Sequence, residues 1–106
     1  MSFSVKRIIK DIRDDDELVQ VVGVIKKVLG KTKITIEDKT GKIACEPIPD
    51  NSPVLKEGLI VKVYGAVSLD DNAERYIEPE LIQDKTGLDL DLYYKTLEML
   101  NKVLYE

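Results

Sequence analysis

The chain has 106 residues, a length that allows one domain with an appendage. Its net charge of −4 by itself disfavours a nonspecific nucleic-acid binder. Its composition, 43% hydrophobic and 34% charged, fits a folded globule, and the charged N-terminus lacks the apolar segment of a signal peptide, so we expect a cytoplasmic protein. One cysteine and no histidine exclude an intrachain disulfide and disfavour a zinc site or a histidine base, so the sequence predicts no metal, no cofactor and no catalytic site.

The segment 18–82 has the alternation and the β-branched residues of β-strands, and it predicts five of them. The alternation is clearest in the second, where Ile34 and Ile36 share one face and Thr35 lies on the other. A tight turn with Gly41 at its end separates this strand from the third. The predicted strands are 18–30, 33–38, 42–46, 59–68 and 75–82.

Two of the predicted strands contain an internal glycine, Gly23 in the first and Gly65 in the fourth, where a strand can bend. A connection with three prolines, 47–58, follows the third strand, and the isoleucines of segment 3–12 are placed to cover one end of a barrel. Five strands that bend at matching points predict a small closed all-β barrel. A flat meander is the alternative that periodicity alone leaves open.

After a break at Thr86-Gly87, residues 88–105 predict one amphipathic helix, with Asp89 in the first turn, where the helix dipole favours acid. Two apolar stripes run along this helix, although one stripe is enough to dock a helix on its own barrel. The second stripe therefore predicts that the helix also binds a partner. The predicted partner-binding stripe consists of Leu90, Tyr93, Leu97, Leu100 and Leu104. The other stripe is Leu92, Thr96, Met99 and Val103.

The runs VQVVGVIKKV, ITIEDKTGKIAC and LKEGLIVKVYGAV, closed by RYIEPELI, resemble the five-stranded oligonucleotide/oligosaccharide-binding (OB) fold. Within that group the chain is most similar to the middle and small subunits of replication protein A, to Stn1-like proteins and to archaeal replication-protein-A-associated proteins. The resemblance covers almost the whole chain and implies a barrel with an N-terminal extension over 1–86 and a helix over 87–106. It also implies that the helix joins a bundle with partner subunits and that the outer face of the second and third strands receives single-stranded DNA.

Binding of a single strand requires a basic track for the phosphates and exposed rings on which bases stack. Residues 24–45 carry six lysines against two acidic residues, a basic region within an acidic chain. A solvated lysine surface is the competing interpretation. Since the chain has no tryptophan, and the second and third strands present no ring, we expect modest, salt-dependent affinity with little sequence preference. The candidate binding residues are Lys26, Lys27, Lys31, Lys33, Thr35, Lys42, Lys62, Tyr64, Arg75 and Tyr76.

The leading hypothesis is a non-enzymatic subunit of a replication protein A-like complex that binds single-stranded DNA, with RNA as an alternative ligand, and recruits a protein through its helix. An OB module that binds only proteins is the main competing hypothesis. A detached anticodon-binding barrel is a third, and the C-terminal helix argues against it. The lysine- and isoleucine-rich composition would suit an archaeal thermophile.

Overall fold

The computed structural model describes residues 5–105, with side chains through residue 100. These residues form six strands, one short 3-10 helix at Ile9–Asp11 and one C-terminal α-helix, α1, at Leu90–Tyr105. Within residues 5–105, neither helix combines the length and hydropathy that spanning a bilayer requires. The strands are β1 (Val5–Lys6), β2 (Leu18–Leu29), β3 (Lys33–Asp38), β4 (Gly41–Cys45), β5 (Ile60–Leu69) and β6 (Arg75–Asp84).

Strands β2 to β6 close into a barrel in the order β2-β3-β4-β6-β5, and β5 returns to pair with β2. The parallel β4–β6 pairing completes the circle, while β1 adds a short parallel pair beside β2. The first half of β2 pairs with β5 and its second half with β3, and the change of partner falls at Val24, directly after Gly23. The predicted five-stranded barrel with a C-terminal helix is therefore confirmed, and the flat meander is excluded.

Gly65 lies where β5 bends, at a register shift between Tyr64 and Gly65 in the pairing with β6. A Cβ atom at this position would collide with the backbone carbonyl oxygen of Glu78 and approach Pro79 Cα to 2.8 Å. Backbone atoms cannot rotate away as side chains can, so only glycine fits here. The internal glycine of the fourth predicted strand thus permits the close approach of β5 and β6 at the bend.

The barrel interior is filled by the inward residues of the alternating strands, with Val61 and Val63 of β5 fully buried. Cys45 is also fully buried, and burial raises the pKa of its thiol to about 12, so it packs as a small apolar side chain. The remaining inward side chains of the strands that are 0% exposed are Val19, Val21, Ile34, Ile36 and Ile77, and Ile25 and Ile82 are 1% and 3% exposed.

One end of the barrel is closed by the 3-10 segment, which inserts Ile9 and Ile12 into the core. Asp38 holds this segment from the end of β3. Its buried carboxylate accepts hydrogen bonds from Ile9 N (2.8 Å), Thr40 N (2.7 Å) and Gly41 N (3.1 Å). The carboxylate therefore fixes the closing segment and the β3–β4 turn to each other.

The opposite end of the barrel is covered by the proline-rich connection 46–59, from which Ile48, Leu55 and Leu59 pack partly against the core. The connection is tied to the β2–β3 hairpin by a hydrogen bond from Ile48 N to Thr32 O at 3.0 Å. Past β6, α1 begins after Asp89, whose carboxylate accepts a hydrogen bond from Leu92 N at 3.1 Å and caps the helix.

Candidate nucleic-acid interface

A row of four side chains crosses the outer face of the barrel on β2, β3, β4 and β6. The register pairs Lys27 with Thr35, Thr35 with Ala44, and Ala44 with Tyr76. Register partners point to the same face of a sheet, so the four side chains lie side by side. This set, which we call the transverse row, has a cation at one end and an aromatic ring at the other.

The ring of Tyr76 is half-buried and held in place through its hydroxyl group. The hydroxyl donates to Oε1 of Glu78 (3.2 Å), which also accepts a hydrogen bond from the Ser68 hydroxyl (2.9 Å). Partial burial and the Glu78 carboxylate raise the pKa of the Tyr76 hydroxyl, so it stays protonated and continues to donate. Beside the ring is a shallow cleft of about 260 Å³, lined also by Thr32, Glu46 and Pro47. A ring fixed in this way next to open space suits the stacking of a base.

Lysines surround the transverse row, and some of them form ion pairs with a carboxylate whereas others do not. Lys26 and Lys42 both approach the Glu37 carboxylate, at 4.0 Å and 3.7 Å, and both side chains are exposed. Exposed pairs of this kind contribute at most about 1 kcal/mol, so a phosphate can compete with Glu37 for either lysine. The other lysines near the row form no ion pair within the described part of the chain, and they are Lys27, Lys31 and Lys33.

Two of the predicted binding residues, Lys62 and Tyr64, lie apart from the transverse row, on β5 beside the first half of β2. Tyr64 is the register partner of Gln20, and the Lys62 ammonium lies 5.2 Å from the centroid of its ring. Lys62 is the register partner of Val22, whose carbonyl oxygen accepts a hydrogen bond from the Tyr94 hydroxyl of α1. Lys62 and Tyr64 therefore belong to the side of the barrel on which the helix lies.

Arg75, another predicted binding residue, is engaged at the end of the barrel closed by the 3-10 segment. Its guanidinium donates to the backbone carbonyl oxygen of Ile12 and lies 3.5 Å from the Asp14 carboxylate. These contacts join the start of β6 to the N-terminal segment. The structure thus brings seven of the ten predicted binding residues together and places Lys62 and Tyr64 elsewhere, while Arg75 makes these contacts beside a cleft that Lys42 also lines.

The helix docks on the barrel through Tyr94 and Leu97, which are 7% and 4% exposed. The Tyr94 hydroxyl donates to the carbonyl oxygen of Val22 (3.4 Å), and Lys39 lies 5.1 Å above its ring. Burial, reinforced by Asp38, raises the pKa of Tyr94 to about 12. Leu97 was predicted to bind a partner, but here it packs against its own barrel and is not accessible.

The opposite side of α1 carries apolar residues in contact with solvent. Leu92 is 62% exposed, Met99 68% and Leu100 43%, and Thr96 is exposed between them. Their spacing of four, three and one residues puts all four on one face of the helix. We call this set the exposed stripe. Of the other predicted partner-binding residues, Leu90 and Tyr93 are half-buried, and the side chain of Leu104 lies outside those described.

Sequence reasoning missed Tyr94, which belongs to neither predicted stripe. Its signal was the spacing of Leu90, Tyr94 and Leu97, at i, i+4 and i+7, which is the usual docking face of a helix. It also missed Val22, which points out of the barrel and is nevertheless buried. The Tyr94 hydroxyl donates to the backbone of Val22, so the two buried residues meet in a contact between distant parts of the chain.

The arrangement supplies surfaces for binding, and no metal site is evident in it. Among the residues that the structure describes, no three His, Cys, Asp or Glu side chains come together as a set of ligands.

The strand order, the two pairings that close the barrel and the C-terminal helix define an OB fold. Comparison with solved structures supports this assignment and confirms the predicted resemblance. A chain in the crystal structure of the S. pombe Stn1–Ten1 complex superposes with a TM-score of 0.76 at 15% identity, over 95% of this chain and 94% of that one. The telomere capping protein Ten1 from S. pombe gives 0.75 at 14% identity, over 92% and 96%.

A chain of a replication protein A heterotrimer bound to single-stranded DNA also has this fold, with a TM-score of 0.62 at 15% identity over 82% of this chain and 72% of that one. The sequence itself matches no protein-family model and no curated protein. The likeness is therefore one of fold.

Proposed function

We propose that this chain is a single-stranded nucleic-acid-binding OB subunit, with the strand crossing the transverse row and a protein partner bound to the exposed stripe of α1. The observation that carries the proposal is the transverse row itself, where Tyr76 and Lys27 lie on one open face flanked by Lys31 and Lys33. A ring for a base and cations for phosphates are the two elements that sequence-independent single-strand binding requires. In this proposal the protein binds its ligands and catalyses no reaction.

The similar structures support both halves of the proposal. One is described as a heterotrimer bound to single-stranded DNA, and another as a complex of two different proteins. DNA is the proposed ligand, and RNA remains the alternative because the row offers no group dedicated to a 2′-hydroxyl.

Charge reversal on the row tests the nucleic-acid half. The variant K27E/K33E should reduce the affinity for a fluorescent oligothymidine at least tenfold at low salt, and should flatten the dependence of affinity on salt, because phosphate contacts release counterions. The control K10E/K56E makes the same change in net charge at two exposed lysines away from the row. Equal losses in the two variants, or no binding by the wild type at low salt, would contradict the proposal.

A protein-interaction module that binds no nucleic acid is the second candidate, and the exposed stripe is the observation that favours it. The stripe groups three exposed large apolar residues on one helix face, and contiguous apolar exposure is typical of interaction surfaces. We therefore propose that the helix binds a protein in either case.

A photo-crosslinking amino acid at Met99 tests this helix contact in cells. One discrete protein adduct should form there, the change Leu92→Glu should abolish it, and the same amino acid at the exposed Leu69 of β5 should give none. Equal labelling at both positions, or no adduct at Met99, would count against an assembly role for the stripe.

A further inference from the structure

A groove of about 570 Å³ opens between the β2–β3 hairpin and the proline-rich connection 46–59. Its walls are mainly apolar, formed by Val28 and Ile34 on the hairpin side and by Ile48 and Leu55 on the other. Val54, also part of the lining, is 87% exposed, so apolar surface continues onto the lip. The groove is large enough for a flat aromatic ligand the size of a nucleobase.

The polar groups of the groove are unevenly distributed. Lys31 and Lys33 line the hairpin side, and neither forms an ion pair within the described residues. Asp50 and Ser52 lie on the side of the connection, and the buried Ser52 hydroxyl oxygen has no hydrogen-bond partner among the described residues. A nucleotide matches this distribution, since its phosphate needs the cations, its ring faces need the apolar walls, and its base edge can bond a carboxylate or a hydroxyl.

The groove also adjoins the transverse row. Thr32, between the two lysines at the hairpin tip, lines the cleft beside Tyr76. One hairpin residue thus separates the cleft at Tyr76 from the groove. A strand whose base stacks on Tyr76 can therefore pass over the hairpin with its phosphates at Lys31 and Lys33.

We infer that the groove binds a second base of the same single strand, so that the strand is held at two bases with the lysine-bearing hairpin beneath the phosphates between them. This inference rests on the proposed function and extends it to the path of the strand. The unpaired lysines favour a nucleotide over the apolar side chain of a protein, which is the competing occupant.

An abasic scan along the shortest fully bound oligothymidine tests the inference. Removing one base at a time keeps every phosphate, so it reports the contacts of bases alone. Two positions should each lose about tenfold in affinity, one for Tyr76 and one for the groove. In Tyr76→Ala, removal of the base at the first position should no longer reduce the affinity. In Ser52→Leu, which places a larger side chain at the groove, removal of the base at the second position should no longer reduce it.

The outcomes separate the two proposals. If no oligonucleotide binds, the proposed function itself fails. If the strand binds with a single sensitive position, and that position is the one lost in Tyr76→Ala, then the groove does not hold a base and the inference is overturned. Should Ser52→Leu lose its thermal transition, Val54→Glu at the exposed lip of the groove replaces it: this variant must weaken the intact oligonucleotide and leave unchanged one truncated at the groove end. Equal weakening of both would also overturn the inference.

Discussion

The two ends of the barrel are closed in different ways, although β3 runs from one to the other. At the Asp38 end, the 3-10 segment buries Ile9 and Ile12 and is fixed by hydrogen bonds to a buried carboxylate. At the Lys33 end, the connection 46–59 packs three partly buried apolar residues on the core and leaves a groove of about 570 Å³. One end is sealed by directional bonds, whereas the other is covered and still open to a ligand.

This difference implies that residues at one end of β3 contribute mainly to stability and that residues at the other end contribute mainly to binding. Buried hydrogen bonds and core contacts make the Asp38 end costly to alter, since their loss leaves unsatisfied groups or cavities. The groove end has exposed lysines and an apolar lip, which can change with little effect on the core. Variants at the first end should therefore lose stability, and variants at the second should lose affinity.

The largest effect is expected for Asp38→Ala. The change removes the acceptor for Ile9 N, Thr40 N and Gly41 N, and each unsatisfied group costs about 1–3 kcal/mol, so the loss should be about 4 kcal/mol in the free energy of unfolding. Urea denaturation measures it. The matched control is Asp50→Ala at the groove end, which should change stability by less than about 0.5 kcal/mol. Similar losses in both variants would remove the proposed difference between the ends.

A slightly smaller effect is expected for Ile12→Ala, which empties a nearly fully buried site in the same closing segment. The cavity and the lost apolar burial should cost about 3 kcal/mol. Val54→Ala removes apolar atoms from the lip of the groove and should lie within about 0.5 kcal/mol of the wild type. Thermal unfolding compares the two variants, and a loss for Val54→Ala as large as that for Ile12→Ala would show that the groove end is equally structural.

Much of the barrel could be predicted from the sequence because its signals are local. The alternation of Ile34 and Ile36 with polar residues places β3, and Gly65 marks the bend in β5. The ends of the predicted strands differ from the observed ones by at most about two residues, for example where β6 continues to Asp84. Such differences arise because strand ends depend on partner strands as well as on local pattern.

The candidate site was less predictable because its contacts join distant parts of the chain. Arg75 was placed correctly on β6, but its partners Ile12 and Asp14 are some sixty residues earlier and redirect its side chain. Val22 is buried, and its carbonyl oxygen accepts a hydrogen bond from Tyr94, 72 residues later in the chain. The groove forms where the hairpin at Lys31 meets the connection 46–59, and no spacing within either segment predicts that meeting.

The smallest expected effect concerns pH, and it arises at Asp16, where the N-terminal segment is held at the sealed end. Burial alone would raise the pKa of Asp16, but hydrogen bonds from the Arg7 guanidinium (both 3.2 Å) and from Arg13 N (2.9 Å) outweigh it and lower the pKa below its usual value. A carboxyl whose pKa is lower in the folded state stabilises the protein above its unfolded pKa of about 4, and this contribution disappears as the pH falls through the folded pKa.

Asp16→Asn should therefore cost about 1 kcal/mol at pH 6 and progressively less as the pH falls below about 4, because the wild type then loses the same charge. Urea denaturation at pH 6 and pH 2.5 gives the two values. Asp15→Asn removes a charge from the same turn without touching Arg7 and controls for net charge. A difference for Asp16→Asn that is constant or larger at low pH would mean that the Arg7 pair does not hold the segment, and that Asp38 and the buried isoleucines alone seal this end.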